Sequence, residues 1–275
     1  MKLVYFMGAG HIGSTVIEVV LGTHPRLESV GEVWKLPVAW VLGSERTCAC
    51  GASVHACAFW QEVRKRWTEL MGEDSVSRYV GLRARLEGSP LGWARLLWAA
   101  GRSDPLLAEY VRLTEALYEA IRRVGGKAAV IESSLSPKRA YALGLCPALD
   151  VHVIHLVRDG RGVIWSLKNP AKRGMVKNFK PAPAWRTTRY WVSANLQSAW
   201  VFGRIRSDRR LRLRYEDFAL NPVAALERIG AWLGEDLSGL LTPAGATKQT
   251  SAVRHTVGGN RVRMQKHIQV RADVG

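Results

Sequence analysis

The sequence predicts a three-layer α/β fold: a central parallel sheet flanked by helices, with a helical insertion over residues 34–124. Three observations carry this reading. Short apolar runs rich in β-branched residues, at 3–7, 127–131 and 151–157, alternate with helical stretches, and strands that alternate with helices form parallel sheets covered on both faces. A glycine turn, Gly8-Ala-Gly10-His11-Ile-Gly13, separates the first strand from an apolar helix. Residues 34–124 contain no strand-like run and several helical ones.

The glycine turn has a chemical meaning. Between a strand and a helix, glycines let backbone N–H groups converge on one spot, and the helix N-terminus adds its partial positive charge. Such a turn is an anion cradle, most often for phosphate. Gly8 to Gly13 is a literal G-x-G-x-x-G, the dinucleotide fingerprint of an NAD(P)-dependent oxidoreductase. The stretch from Gly8 to Thr15 also fits the P-loop of a kinase, with Ser14 where the phosphate-binding lysine belongs.

Composition narrows the partners. With 40 Lys and Arg against 23 Asp and Glu, the formal charge is +17, which favours an anionic partner such as a phosphorylated cofactor. No nucleic-acid motif accompanies the charge. No apolar run is long enough to span a membrane, and the chain opens directly on a strand, so a cytoplasmic protein is expected. The chain's 275 residues suit one domain over 1–275.

The elements follow in order. Residues 14–22 form the first helix, with Val16, Val19, Val20 and Leu21 apolar, and His24-Pro25 closes it. A short strand and a turn carrying Glu32 come next. Glu28 and Glu32 both lie near the distance at which a dinucleotide fold places its ribose-binding acid. Six tryptophans (Trp34, Trp40, Trp60, Trp67, Trp93 and Trp98) mark the insertion, as core packing or as an aromatic wall for an acceptor. Cys48, Cys50 and Cys57 with His55 suit a zinc site, a disulfide or a local turn of reduced thiols. Leu106, Tyr110, Leu113, Leu117, Ile121 and Val124 share one helical stripe that Gly125-Gly126 ends. The 127–131 strand leads into Glu132-Ser133-Ser134, and Pro137 starts a helix. The 151–157 strand runs into Arg158-Asp-Gly-Arg161 and a helix carrying Ser166. A basic stretch over 169–183, with Lys172, Arg173, Lys177 and Lys180, reads as a loop or lid. The helix over 184–206 is expected to bury Trp191, Ala194, Phe202 and Ile205. Leu211 to Arg214 alternates as a strand, and Leu226, Ile229 and Leu233 mark the last long helix. Ligands gather at the carboxyl ends of parallel strands, so the glycine turn, Glu132–Ser134 and Arg158–Ser166 are expected to face one crevice.

Taken together, these segments resemble the sulfotransferases that use 3′-phosphoadenosine 5′-phosphosulfate (PAPS), of the bacterial type and similar to the tyrosylprotein and carbohydrate branch. Gly8 to Thr15 resembles the 5′-phosphosulfate loop, and His24-Pro25 with Gly31-Glu32 the H-P…G-E segment. Cys48-x-Cys50-Gly with Cys57 and Trp60 resembles a cysteine segment of bacterial members. Glu132-Ser-Ser-Leu-Ser-Pro137 resembles D-S-S-K-x-P, and His155-Leu-Val-Arg158-Asp-Gly-Arg161 with Ser166 the 3′-phosphate site. Arg214-Tyr-Glu-Asp-Phe218 resembles the segment near the adenine, and Gly259-Asn260-Arg261 a late loop that closes over the cofactor. The resemblance implies a P-loop-like fold and sulfuryl transfer from PAPS to a hydroxyl of a small-molecule or glycan acceptor, with no metal required. It implies Glu32 as general base and His11 in the catalytic loop. It implies a donor site made by Gly10, His11, Gly13, Ser14, Thr15, Arg158, Ser166, Tyr215, Gly259, Asn260 and Arg261. Two residues depart from the pattern: His11 and Leu135 stand where the family carries cations. Lys138, Arg139 or the basic stretch would have to compensate, or the chain is a catalytically weak nucleotide-binding homologue.

Overall fold

The computed structural model describes residues 1–168, 182–242, 254–265 and 267–270. The basic stretch with Lys172, Arg173, Lys177 and Lys180 lies outside them. Five strands, β1 (Lys2–Met7), β2 (Leu27–Gly31), β3 (Ala129–Leu135), β4 (Asp150–Val157) and β5 (Arg210–Arg214), form one sheet of order β2-β3-β1-β4-β5. Among the five strands every pairing is parallel: β1 lies between β3 and β4, β2 pairs with β3 and β5 with β4. This order decides against the dinucleotide fold, in which β2 lies beside β1. Here β3 separates them, so Glu28 and Glu32 sit one strand removed from the glycine turn.

The helices are α1 (Ser14–Leu21), α2 (Lys35–Leu42), α3 (Ala58–Met71), α4 (Ser75–Glu87), α5 (Pro90–Ala99), α6 (Pro105–Gly125), α7 (Pro137–Gly144), α8 (Gly160–Lys168), α9 (Ala184–Phe202), α10 (Tyr215–Leu220) and α11 (Pro222–Leu233). Strand side chains alternate between faces, and the core divides accordingly. Leu3, Tyr5 and Met7 pack with residues of α2 to α7, whereas Val4 and Phe6 pack with residues of α1, α8, α10 and α11. Helices α2 to α6 form the crossover from β2 to β3. Asp104 caps α6 by accepting from the Leu107 N–H, and Gly126, at φ 65°, ends it. Tyr110, Leu113, Leu117 and Ile121 are fully buried along the expected stripe.

Three local expectations shift. Strand β3 runs on through Glu132 to Leu135, because pairing with β1 carries it past the apolar run. A short helix, α10, precedes α11. Helix α9 buries Thr187, Ser198 and Val201, while Trp191, Ala194, Phe202 and Ile205 are only partly buried. Its exposed face carries Trp185, Val192 and Leu196. No helix among the described residues is long and apolar enough to cross a membrane.

Candidate functional site

The glycine turn closes at the carboxyl end of β1. Gly13 is the N-cap of α1 at φ 87°, and no side chain caps the helix, so its first N–H groups point out of the turn for an anion. A Cβ at Gly13 would lie 2.2 Å from the Tyr215 ring, so only glycine fits beneath that ring. His11 and Leu135 are the two non-glycine residues with positive φ among those described, at 65° and 66°. Backbone in that region is strained for L-residues and gathers at functional sites. Both are the positions at which cations were expected.

Of the three segments expected to share a crevice, the glycine turn and Arg158–Ser166 meet, whereas Glu132 and Ser133 are buried and bonded to Arg139 and Glu18. His11 Nδ1 lies 3.1 Å from Ser166 Oγ of α8. Arg158, after β4, is buried, donates from Nη1 to the His11 carbonyl at 2.9 Å, and lies 4.7 Å over the Tyr215 ring. Glu216 accepts from the Asp159 N–H at 2.8 Å, so α10 fixes the turn that carries Arg158. Two residues of α9 that sequence reasoning missed complete the arrangement. The Gly10 N–H donates to the Tyr190 hydroxyl at 2.6 Å, and Trp191 Nε1 donates to the Arg158 carbonyl at 3.0 Å. Their one sequence signal is position, as the first aromatic pair after the basic stretch.

The late segment arrives from the opposite side. The Val257 carbonyl accepts from the Glu32 N–H at 2.7 Å. The Gly259 N–H donates to Glu32 Oε1 at 2.7 Å, and the Asn260 N–H to Thr15 Oγ1 at 3.2 Å. A Cβ at Gly259 would lie 2.6 Å from Thr15 Oγ1, so the glycine is needed for this approach. Asn260 Oδ1 accepts from the Val262 N–H of its own turn. Arg261 is exposed; the guanidinium that turns inward is Arg263, which donates to the carbonyls of Gly259, Asn260 and Thr47. Glu32 also pairs with Lys35 at 2.6 Å.

Two buried acids support the site from behind. Glu18, on the apolar helix α1, accepts from the Gly31 N–H at 2.6 Å and from the hydroxyls of Ser29 and Ser133. It thereby ties α1 to β2 and β3. Burial pushes its carboxyl up to about 7, against those hydrogen bonds. A carboxyl raised in the folded state favours folding most at low pH. Stability is therefore expected to fall as pH rises from about 4.5 to about 7. Glu18→Gln should remove roughly 2–3 kcal/mol of the difference in stability between denaturant titrations at pH 5 and pH 8; an unchanged difference would exclude Glu18 as its source.

Glu132 accepts from Arg139 Nε at 2.8 Å and from the hydroxyls of Ser134 and Tyr118. Arg139 also reaches Tyr79, Tyr118 and Glu87 and is fully buried. It is therefore locked beneath the sheet and cannot supply the cation absent at Leu135, whose side chain packs against the core beside α1. Lys138 instead lines a cleft of about 300 Å³ with Trp93, Pro137, Leu196, Gln197 and Trp200, next to the end of β3. Of the insertion tryptophans, Trp40, Trp60 and Trp67 are core, whereas Trp93 contributes to this cleft.

Cys48, Cys50 and Cys57 come together, but with His255 and not His55. His55 Nε2 lies instead 3.3 Å from the Ser44 carbonyl.

Comparison with known proteins follows this geometry. The model described as "Sulfotransferase family" matches residues 4–239. The solved "Sulfotransferase Domain from the Curacin Biosynthetic Pathway" is similar at a TM-score of 0.51 and 14% identity, over 86% of this chain and 74% of that one. The sulfotransferase domain of the Synechococcus PCC 7002 olefin synthase gives a TM-score of 0.45 and 21% identity over the same shares. A sulfotransferase from Alicyclobacillus acidocaldarius gives 0.43 and 14%, over 85% of this chain and 81% of that one. At 14% identity, the first of these likenesses speaks to fold alone. No curated protein matches the chain.

Proposed function

We propose, from the premise that the chain belongs to the sulfotransferase family, that it transfers a sulfuryl group from PAPS to a hydroxyl of an acceptor. One observation carries the reading. The glycine turn and Arg158 are physically joined, through the Arg158–His11 and His11–Ser166 contacts, under the Tyr215 ring. A donor with one phosphate at each end of a nucleoside suits that pairing. The N–H groups and hydroxyls of Ser14 and Thr15 hold the 5′ end. Arg158 and Ser166 hold the 3′-phosphate, Arg158 through charge-assisted bonds, with Tyr215 near the adenine. The residues fit such a group: the helix N-terminus carries no side-chain cap, a buried guanidinium bonds the turn that leads into it, and Gly13 leaves no room for a Cβ beneath Tyr215.

The bound donor supplies the sulfuryl group and its phosphate leaving group. The protein holds the acceptor oxygen in line and stabilises the charge that moves toward the 5′-phosphate. Glu32 removes the acceptor proton, and the Gly259 N–H and Lys35 orient its carboxylate. The insertion, residues 34–124, serves the acceptor. The cleft that Trp93 of the insertion forms with Lys138 of α7 and with Leu196 and Trp200 of α9 suits an apolar or sugar-like hydroxyl compound.

A ligand-shift measurement tests this without an acceptor. A ligand at a hundred times its dissociation constant stabilises the folded state by about 2.7 kcal/mol, and each kcal/mol moves the Tm of a domain this size by about 2–4 °C. Adenosine 3′,5′-bisphosphate should raise the Tm by several degrees, and adenosine 5′-monophosphate, ATP and NAD by much less. Arg158→Ala should erase most of the advantage of the bisphosphate. A larger shift with ATP or NAD would overturn the assignment. A second reading, a nucleotide-binding homologue with weak catalysis, is favoured by the core packing of Leu135 and the burial of Arg139. Strong bisphosphate binding without transfer to any acceptor would select it.

A further inference from the structure

The cysteine segment is not used by the proposed chemistry. A tight hairpin, in which the Cys48 N–H donates to the Ala52 carbonyl and the Gly51 N–H to the Cys48 carbonyl, brings Cys48 and Cys50 to one side. Gly51, at φ 95°, makes that turn possible. Cys57 is the N-cap of α3, where the helix end favours a thiolate. The fourth member arrives from the far end of the chain. The Ala49 N–H donates to the Thr256 carbonyl at 3.0 Å, Trp60 Nε1 donates to the His255 carbonyl at 2.9 Å, and Phe59 stacks on the His255 ring at 4.6 Å.

The four ligand atoms lie within 4.8 Å of one another. Cys50 and Cys57 Sγ are 3.6 Å apart, and Cys57 and Cys48 Sγ 3.7 Å. His255 Nδ1 lies 3.3 Å from Cys57 Sγ and 3.8 Å from Cys48 Sγ. A zinc tetrahedron with bonds of about 2.3 Å to sulfur and 2.0 Å to nitrogen has edges of about 3.8 Å between sulfurs and about 3.5 Å from sulfur to nitrogen. Four of the six separations lie close to those edges, and the other two, Cys48–Cys50 and Cys50–His255, fall within 4.8 Å. They are far too long for a bonded sulfur pair, about 2.05 Å, and all four cysteines of the chain are free.

We propose that Cys48, Cys50, Cys57 and His255 form a structural zinc site that clamps the late segment onto the sheet. Four protein ligands leave no open position, which marks a structural site rather than a catalytic one. Zinc binds as three thiolates and one neutral imidazole, and the thiol protons leave to solvent.

The clamp has a geometric consequence. Directly after His255, Thr256 bonds Ser29, Val257 bonds Val30 and Glu32, Gly259 bonds Glu32 and Asn260 bonds Thr15. Holding His255 therefore holds the segment against β2 and α1.

Metal analysis of the chain purified under reducing conditions is expected to find about one zinc per chain. Replacement by cobalt should give the thiolate charge-transfer and intense visible bands of a tetrahedral site. Cys50→Ser, at the exposed ligand, should lose zinc to a chelator faster than the parent. Hydrogen exchange at residues 256–260 should quicken when the parent is chelated. A reduced chain that takes up neither zinc nor cobalt, or that carries a Cys50–Cys57 disulfide instead, overturns the site. Bound zinc with unchanged exchange at 256–260 after its removal overturns the clamp. None of these readouts depends on sulfuryl transfer, so failure of the zinc site and failure of the proposed activity are separable.

Discussion

Glu32→Gln is expected to lower turnover by about 10²–10⁴-fold, the usual worth of a positioned general base, with any acceptor the parent sulfates. The same variant should keep its fold and its response to adenosine 3′,5′-bisphosphate. Glutamine retains an oxygen for the Gly259 N–H, now 2.7 Å from Glu32 Oε1. It loses the ion pair with Lys35, both of whose side chains are partly exposed, and such pairs contribute about 0–1 kcal/mol. A loss confined to turnover therefore isolates the proton transfer. Parent-like turnover would remove Glu32 from the mechanism. Loss of the bisphosphate response together with stability would instead make it the carboxylate that seats the 258–259 turn. Lys35→Met separates these outcomes further, because it leaves the Gly259 contact and removes only the neighbouring charge.

The parts of this site that the sequence made legible are those whose chemistry is local. Gly8 to Gly13 announces a strand, a turn and a helix N-terminus within one short stretch. Arg158 and Ser166 follow a β-branched strand, so their place at its carboxyl end follows from the parallel-sheet rule. The strand order was not legible, since only pairing places β3 between β1 and β2. Long-range partners stayed hidden for a related reason. His55 is the histidine nearby in sequence, yet His255, 198 residues beyond Cys57, meets the sulfurs, because Val257 pairs with both Gly31 and Cys48. Glu18 did give a local signal, a single acid in an otherwise apolar helix, which asks for buried partners. Arg139 gave none: a basic residue at the start of a helix reads as surface charge until α4 and α6 are packed over it.

That burial makes Arg139 the position where one substitution should cost most stability. Its Nε donates to Glu132 at 2.8 Å, its Nη1 to Tyr79 at 3.0 Å and to Glu87 at 3.3 Å, and its Nη2 to Tyr118 at 3.0 Å. Burial works against the cation, but Glu132, Tyr79 and Glu87 outweigh it and hold Arg139 protonated. Arg139→Met keeps much of the volume, leaves Glu132 without its cation and leaves Glu87 with Arg83 alone, at 3.8 Å. Breaking a buried pair in this way costs about 3–5 kcal/mol, a fall in Tm on the order of 10 °C. The pH dependence distinguishes lost charge from lost packing. Without Arg139, burial and the Glu87 charge act on Glu132 against the Ser134 hydrogen bond, so its folded carboxyl rises further above its unfolded value. Such a group loses stability as pH climbs through the carboxylate range. The deficit of Arg139→Met is therefore expected to be larger at pH 8 than at pH 5 in matched denaturant titrations. Glu132→Gln in the same background should recover part of it at pH 8 and little at pH 5. A deficit below about 1 kcal/mol, within the range of an ordinary surface change, or one equal at both pH values, would mean that the network contributes packing rather than paired charge.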